Sequence, residues 1–429
     1  MPGSLGQHPG ENALTVNDIL HPDTPNIPHT RANNNRVIAK KLNMRGRAAL
    51  ANLGVPNGII DKPSPRTDEI LSRAIASEVK TALSRDARSG VNWYTKDFQR
   101  ALMLAANLHP EIAQDENAKM IFTAALAVTS NGEKVIRNAQ LADSVYSQFK
   151  ETGKFPTDIE DSAQKKAMNF CFNRLNGLIA KYGIAGTREF LATKFSKKEL
   201  LDMGYQISGE NKDAELYGSS ILGPKIGHGF YQNLNGNYNP LTMDMWWMRA
   251  WGRLTGTLVG KLKPQVLANQ KNGFIEALQD AGMKVPKSDK ALAMLAHKIF
   301  SAHEHNFTKY RKEYNSGVRT KDPTVYRADR YLQGLAGINQ TPTSGSHRAW
   351  MRERVNRARE ILAHEGIQIT NADLQATWWY PEKKLYEKLG GRDSEGVNMD
   401  YSEAFRRLLA QKQGVSDDTI NNTFGTVAR

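Results

Sequence analysis

The residues best suited to chemistry stand in one stretch of the chain. Tyr217-Gly218-Ser219-Ser220-Ile221-Leu222-Gly223-Pro224-Lys225-Ile226-Gly227 reads as a tight Gly/Ser bend. A second helix is expected from about Pro224, because proline suits a first helical turn. A helix over the preceding residues would complete a hairpin. Its exposed backbone N–H groups, together with the helix dipole, would favour a phosphate. After a break at Asn235-Gly236-Asn237 comes Pro240-Leu241-Thr242-Met243-Asp244-Met245-Trp246-Trp247-Met248-Arg249, with Asp244 at the mouth of a new helix. Lys225 precedes it by 244 − 225 = 19 residues. A fixed carboxylate can stabilise positive charge that builds in a transition state, or activate an attacking nucleophile. An amine within reach could itself act as a nucleophile. Each residue also has a plainer use, Asp244 as a helix cap and Lys225 as a contact to a phosphate.

The order of glycine bend, lysine, second loop, aspartate and arginine resembles the helix-hairpin-helix (HhH-GPD) DNA glycosylase superfamily. The resemblance spans roughly Ile121–Arg253 and is closest over Ser219–Arg253. It departs from the family pattern where the first hairpin glycine is replaced by Ser220 or a neighbour and the usual proline is absent. The resemblance implies Asp244 as the essential aspartate and Lys225 as the lyase nucleophile. It implies Gly223, Lys225, Gly227, Arg249 and Arg253 as the DNA-binding set. Upstream, Leu126-Ala127-Val128-Thr129-Ser130-Asn131 resembles the helix end that lines the base pocket in this family, which puts Thr129, Ser130 and Asn131 there. Tyr231 and Trp247 could stack on an extruded base, although a Trp pair among Met243, Met245 and Met248 also reads as packing.

The activity so implied is excision of a modified base from DNA, flipped out of the duplex because a stacked base cannot be reached. A bulky, sugar-modified cytosine of the phage type is the preferred substrate, and double-stranded modified DNA the partner. No cofactor is implied. Two other uses of these residues stay open. One is a glycosylase-fold enzyme that replaces the pyrophosphate of a hypermodified thymine. The other is a non-catalytic DNA-binding protein that keeps only the hairpin.

The elements that must position these residues are predicted to be helices, so the expected class is all-α, a two-lobed core with an arm and an extension. Residues 1–65 are punctuated by prolines and read as an irregular arm with one short helix, Val37–Leu53. Residues 66–260 read as the core, with the hairpin at 217–234 and the aspartate loop at 235–253. Apolar spacing predicts its helices at Ala118–Val128, Val135–Phe149, Ser162–Tyr182, Thr187–Lys194 and Lys197–Met203. Residues 261–429 read as a helical extension. It holds an arginine-rich helix (His347–Gly366), whose cations suit either a phosphate backbone or a solvated face. The run Asp373–Lys383 is expected to dock the tail by its aromatic residues.

Composition bounds the rest. At 429 residues the chain should form two or three packed lobes, since single cores stop growing near ~250–300 residues. Its 58 Lys and Arg against 44 Asp and Glu give a formal charge of +14, which suits an anionic partner such as nucleic acid. Cys171 is the single cysteine, which excludes an intrachain disulfide and an all-cysteine metal site. His303 and His305 form a lone H-x-H pair without matching ligands, so no metal is expected. The start of the chain lacks a signal-peptide apolar run, and no stretch reaches the ~18 apolar residues of a membrane span. A cytoplasmic location is expected.

Overall fold

The structure is a computed structural model that describes residues 34–84, 92–160, 162, 164–260, 264–303, 323–389, 400–416 and 419. Residues 1–33 of the expected arm, and His305, lie outside the described residues. The described chain is mostly helical, as the spacing of its apolar residues requires. Among the described residues, strands occur only as two short antiparallel pairs, Lys194–Ser196 with Glu215–Tyr217 and Val259–Gly260 with Gly337–Ile338.

Helix positions follow the predicted pattern with small shifts at their ends. The expected 118–128 helix runs Glu116–Thr129, where the Asp115 side chain accepts from the Asn117 amide and caps it. The two helices expected over 162–194 form one continuous stretch, Lys165–Ala192, broken at Gly183 by a φ of 68° that glycine adopts without strain. The helix expected before the Gly/Ser bend is absent. Glu215-Leu216-Tyr217 is extended instead, because it pairs with Lys194–Ser196 and buries only the central Leu216.

The chain divides into two compact units, and the division does not follow the expected arm, core and extension. One unit takes the described parts of 34–74, 248–340 and 382–389. Here Pro264–Asp280, Asp289–His303 and Pro323–Leu335 pack around Phe274, Leu278, Leu292, Phe300, Val325 and Tyr331. The Asn34–Asn52 helix joins the same unit. Arg47 donates through Nε to the Gly256 carbonyl at 2.9 Å, and Asn43 Oδ1 accepts from the Val259 amide at 3.3 Å. A Cβ at Gly46 would overlap the Arg253 carbonyl, so this helix lies directly on the backbone there.

Arg249 and Arg253, assigned to DNA by resemblance, are structural in this unit. Both are buried, at 0% and 1% exposure. Arg253 Nε donates to Glu382 Oε2 at 2.8 Å, and the Arg249 guanidinium stacks on the Tyr386 ring at 4.5 Å. A guanidinium so enclosed cannot reach a phosphate without unpacking the unit.

The second unit takes the described parts of 75–247, 341–381 and 400–419. Its core includes the apolar Glu116–Thr129 helix, and the Val135–Thr152 helix packs on it. The tail is integral to this unit rather than appended to it. Trp378 donates to Glu78 at 2.6 Å, Tyr401 bonds the Asn138 side chain, and Trp93 meets Trp379 edge-on at 6.5 Å.

The buried Arg253–Glu382 pair yields a stability prediction. Glu382→Ala should cost about 3–5 kcal/mol in urea denaturation, because it removes a buried carboxylate that pairs with a buried cation. The double change Arg253→Met with Glu382→Leu should cost far less.

Candidate functional site

Three segments of the second unit lie on one another with almost no side chain between them. The first is a 3₁₀ turn, Gly218–Leu222, ending at Gly223 with φ 101° and ψ 160°, a conformation reserved for glycine. The second is a π-helical turn, Ile226–Tyr231, whose Gly227 and His228 amides both donate to the Gly223 carbonyl, at 2.9 and 3.2 Å. A Cβ on Gly227 would overlap the Ser219 carbonyl oxygen, so the two turns touch backbone to backbone. Ser219 Oγ donates to the Gly227 carbonyl at 2.8 Å, and Gln232 Nε2 reaches both Ser219 Oγ and the Leu191 carbonyl at 2.8 Å.

The third segment is the aspartate loop. A Cβ on Gly229 would come within 2.8 Å of the Leu241 carbonyl and of Thr242, so this loop rests on the turn that follows the Gly223 bend. Thr242 is held from several sides. Its hydroxyl donates to Asn233 Oδ1 at 3.0 Å, while Gln375 accepts from its amide at 2.6 Å and donates to its carbonyl at 2.7 Å. Asp244 follows at the head of the Met245–Thr255 helix. Its amide donates to the Thr242 carbonyl at 2.9 Å, and its Oδ1 accepts from the Trp247 amide at 2.8 Å. Asp244 is half-buried, and its Oδ2 has no hydrogen-bond partner among the described residues. One oxygen thus anchors the carboxylate while the other remains available.

Tyr94 completes this arrangement. Asn92 adopts a left-handed φ of 56° and starts the π turn Trp93–Asp97, which turns Tyr94 into the interior. The Tyr94 amide donates to Asp373 Oδ1 at 3.0 Å, and Thr95 Oγ1 donates to Asp373 Oδ2 at 2.8 Å. Burial pushes the Tyr94 phenol well above its ordinary range, against a hydrogen bond to the Thr242 side chain, and the Asp244 charge pushes it further up. Tyr94 is therefore held as a neutral hydroxyl at any physiological pH.

The other expected site residues separate into two groups. Gly223 and Lys225 remain accessible at the bend, both half-buried, and the Lys225 ammonium has no partner among the described residues. Gly227 is buried with its amide already bonded, so it serves close packing rather than a phosphate. Tyr231, at 3% exposure, and Trp247, at 0%, are core residues with no face open to a base. Trp247 donates to the Met351 sulfur at 3.2 Å and meets Trp378 edge-on at 4.8 Å. Thr129 is buried as well. Its hydroxyl donates to the Ala125 carbonyl at 2.8 Å and accepts from Asn138 at 2.7 Å. The Ser130 hydroxyl donates to Ala127 at 2.7 Å, so these two side chains finish their own helix. Asn131 beside them is half-buried.

Sequence reasoning missed Tyr94, Asn233, His228 and Gln375. For Gln375 a signal existed, since it sits in the aromatic run expected to dock the tail. Tyr94 lay in an unremarked segment far from the motif. Among the described residues, no group of three or more His, Cys, Asp or Glu side chains could hold a metal ion, and no helix is long and apolar enough to cross a membrane. Comparisons of the chain with protein-family models, with curated proteins and with solved structures found no match.

Two predictions follow from the glycine contacts and from His228. Gly227→Ala should destabilise the protein by about 2–3 kcal/mol or more, because the Ser219 backbone has to move. Gly177→Ala lies on an exposed helical position with open space around it and should instead stabilise by about 1 kcal/mol. Urea titration of both variants checks the contrast. Burial pushes His228 down to about 4; the Glu210 charge opposes this, and the Arg352, Arg348 and Lys194 charges reinforce it. The unfolded chain binds that proton near pH ~6.5, so the stability contributed by neutral His228 is complete above this value and is lost as pH falls toward about 4. Between pH 7 and pH 4.5, wild type should therefore lose more stability than His228→Asn.

Proposed function

We propose that this protein is a DNA glycosylase that swings a modified base out of the duplex and excises it, leaving an abasic site. The observation that carries the reading is the Asp244 carboxylate, with Oδ1 locked to a helix amino terminus and Oδ2 open, on a loop that rests against the glycine turn after Gly223 and Lys225. A carboxylate fixed in this way needs no reorganisation when positive charge appears on the deoxyribose ring. The N-glycosidic bond breaks with its electron pair going to the base, and Oδ2 stabilises the cationic sugar. Water then adds hydroxide to C1′, and its proton goes to the departing base.

The bend supports the DNA-facing part of the reading. Gly223 and Lys225 lie at its outer side, and the Lys225 and Ile226 amides precede the first bonded amide of the turn, that of Gly227. Amides so placed suit a phosphate oxygen, and the formal charge of +14 suits a polyanion. Lys225 is also the amine that could replace water at C1′ and hold the sugar as a Schiff base.

The test uses a single substitution that spares the fold. Asparagine caps a helix about as well as aspartate, so Asp244→Asn should keep both stability and DNA affinity. Base release, read by mass spectrometry of the free small molecules, should fall at least about a hundredfold. Unchanged base release in Asp244→Asn would remove the carboxylate from the chemistry. Borohydride trapping separates the two nucleophiles. A covalent DNA adduct that disappears in Lys225→Ala assigns the lyase step to that amine, and an adduct that persists excludes it.

A further inference from the structure

The two units share the positive charge of the chain unequally. Among the described residues, the first unit carries 20 Lys and Arg against 9 Asp and Glu, and the second carries 26 against 23. The surplus therefore lies mainly in the unit that does not contain Asp244. Like charges gathered on one body repel, so an excess set apart from the proposed reaction centre calls for a counter-charge of its own.

The densest part of this excess is near the start of the described chain. Between Ile38 and Arg66 stand Lys40, Lys41, Arg45, Arg47, Lys62 and Arg66, with Asp61 as the only acid. The Asn34–Asn52 helix itself holds no acidic residue. Its inner face is buried through Ile38, Ala39, Leu42, Gly46 and Leu50. Helical spacing sets Lys40, Met44, Ala48 and Ala51 in a row on the exposed side, with Lys41 and Arg45 one step round.

This face is firmly supported. Gly46 lets the helix lie on the Arg253 carbonyl, and Gly58 meets the Arg47 carbonyl as the chain folds back. The Val55 amide donates to the Leu50 carbonyl at 2.9 Å, and Arg66 Nη2 donates to the Leu53 carbonyl at 2.8 Å. Arg66 thus has a structural use, as a cation at the carboxyl end of the helix. Arg47 is fixed through Nε on the Gly256 carbonyl, and its terminal nitrogens make no bond among the described residues.

Lys40 and Lys41 have no such use. Both are exposed, without a hydrogen-bond or ion-pair partner among the described residues. They stand mid-helix, beyond the reach of the dipole at either end, and no acid lies three or four residues away to pair with them. The side chains between the cations are Met44, Ala48 and Ala51, which offer no hydrogen bond to the edge of a base. A rigid cationic face without such reading groups suits the phosphates of a nucleic acid rather than its sequence.

We propose that the exposed face of the Asn34–Asn52 helix grips the phosphate backbone of duplex DNA whatever its base sequence, as a second contact apart from the Gly223 bend. The choice of DNA among polyanions rests on the glycosylase reading.

The experiment measures binding of two duplexes of unrelated sequence across a salt series. It compares the full wild-type chain with Lys40→Gln/Lys41→Gln and with the control Lys287→Gln/Lys290→Gln. Both pairs are exposed lysines of the first unit and remove the same charge, and thermal midpoints check folding. Loss of two phosphate contacts should lower the slope of log K against log salt by about 2. Binding should weaken at least about tenfold, equally for both duplexes, while the control stays close to wild type. An unchanged slope in Lys40→Gln/Lys41→Gln overturns the proposal. An equal loss in the control overturns it too, because net charge rather than this face would then govern. A loss confined to one duplex contradicts a grip on the backbone alone. Duplex RNA and vesicles of anionic phospholipid complete the series. Tighter binding to either than to DNA, dependent on Lys40 and Lys41, overturns the assignment to DNA. None of these readouts needs base release. A protein that grips DNA through these lysines yet frees no base defeats the glycosylase reading alone, and base release without the grip defeats this proposal alone.

Discussion

Backbone-to-backbone contact at Gly227 and Gly229 governs the geometry of this site. At Gly227 the two turns approach until any side chain would overlap the Ser219 carbonyl, and at Gly229 the aspartate loop comes within 2.8 Å of where a Cβ would stand. These contacts leave no flexible side chain to absorb an error in position, so the bend, the turn and the Asp244 loop move as one body. The hydrogen bonds of Ser219, Gln232 and Asn233 then lock the layers, each joining one segment to the next. Rigid support of this kind is what a carboxylate needs if it is to act by its charge rather than by mobility.

The carboxyl-terminal part of the chain contributes to that support directly. Gln375 holds Thr242 by both its backbone groups, and Asp373 holds the turn that brings Tyr94 to the Thr242 side chain. Both acceptors and donors are buried, so removing either would leave unpaired polar groups rather than a mere gap. The tail thus belongs to the candidate site although it lies more than a hundred residues away in sequence.

Much of the helical framework was legible in the chain. Apolar spacing located the helices near 116–129, 135–152 and 345–364, because burial of one face at a period of 3.6 leaves a direct trace. The Gly223 bend and the capping position of Asp244 were legible for a similar reason: positive φ and helix caps select few residue types. The short strand before the bend was not legible, since three residues carry too little periodicity and its partner lies 21 positions earlier.

Sequence alone determined which residue types could do chemistry: a carboxylate at a helix mouth, a lysine at a glycine bend, and a surplus of positive charge. It did not determine which neighbours were free to join them. Arg253 and Trp247 follow Asp244 closely and look suited to a site, yet one is paired with Glu382 and the other is enclosed against Trp378 and Met351. Tyr94 and Gln375, distant in the chain, are the residues that hold on to Thr242, two positions before Asp244. The reason is physical: accessibility and partnership depend on which surfaces are buried together, and burial is set by contacts between segments that no local pattern of residues encodes.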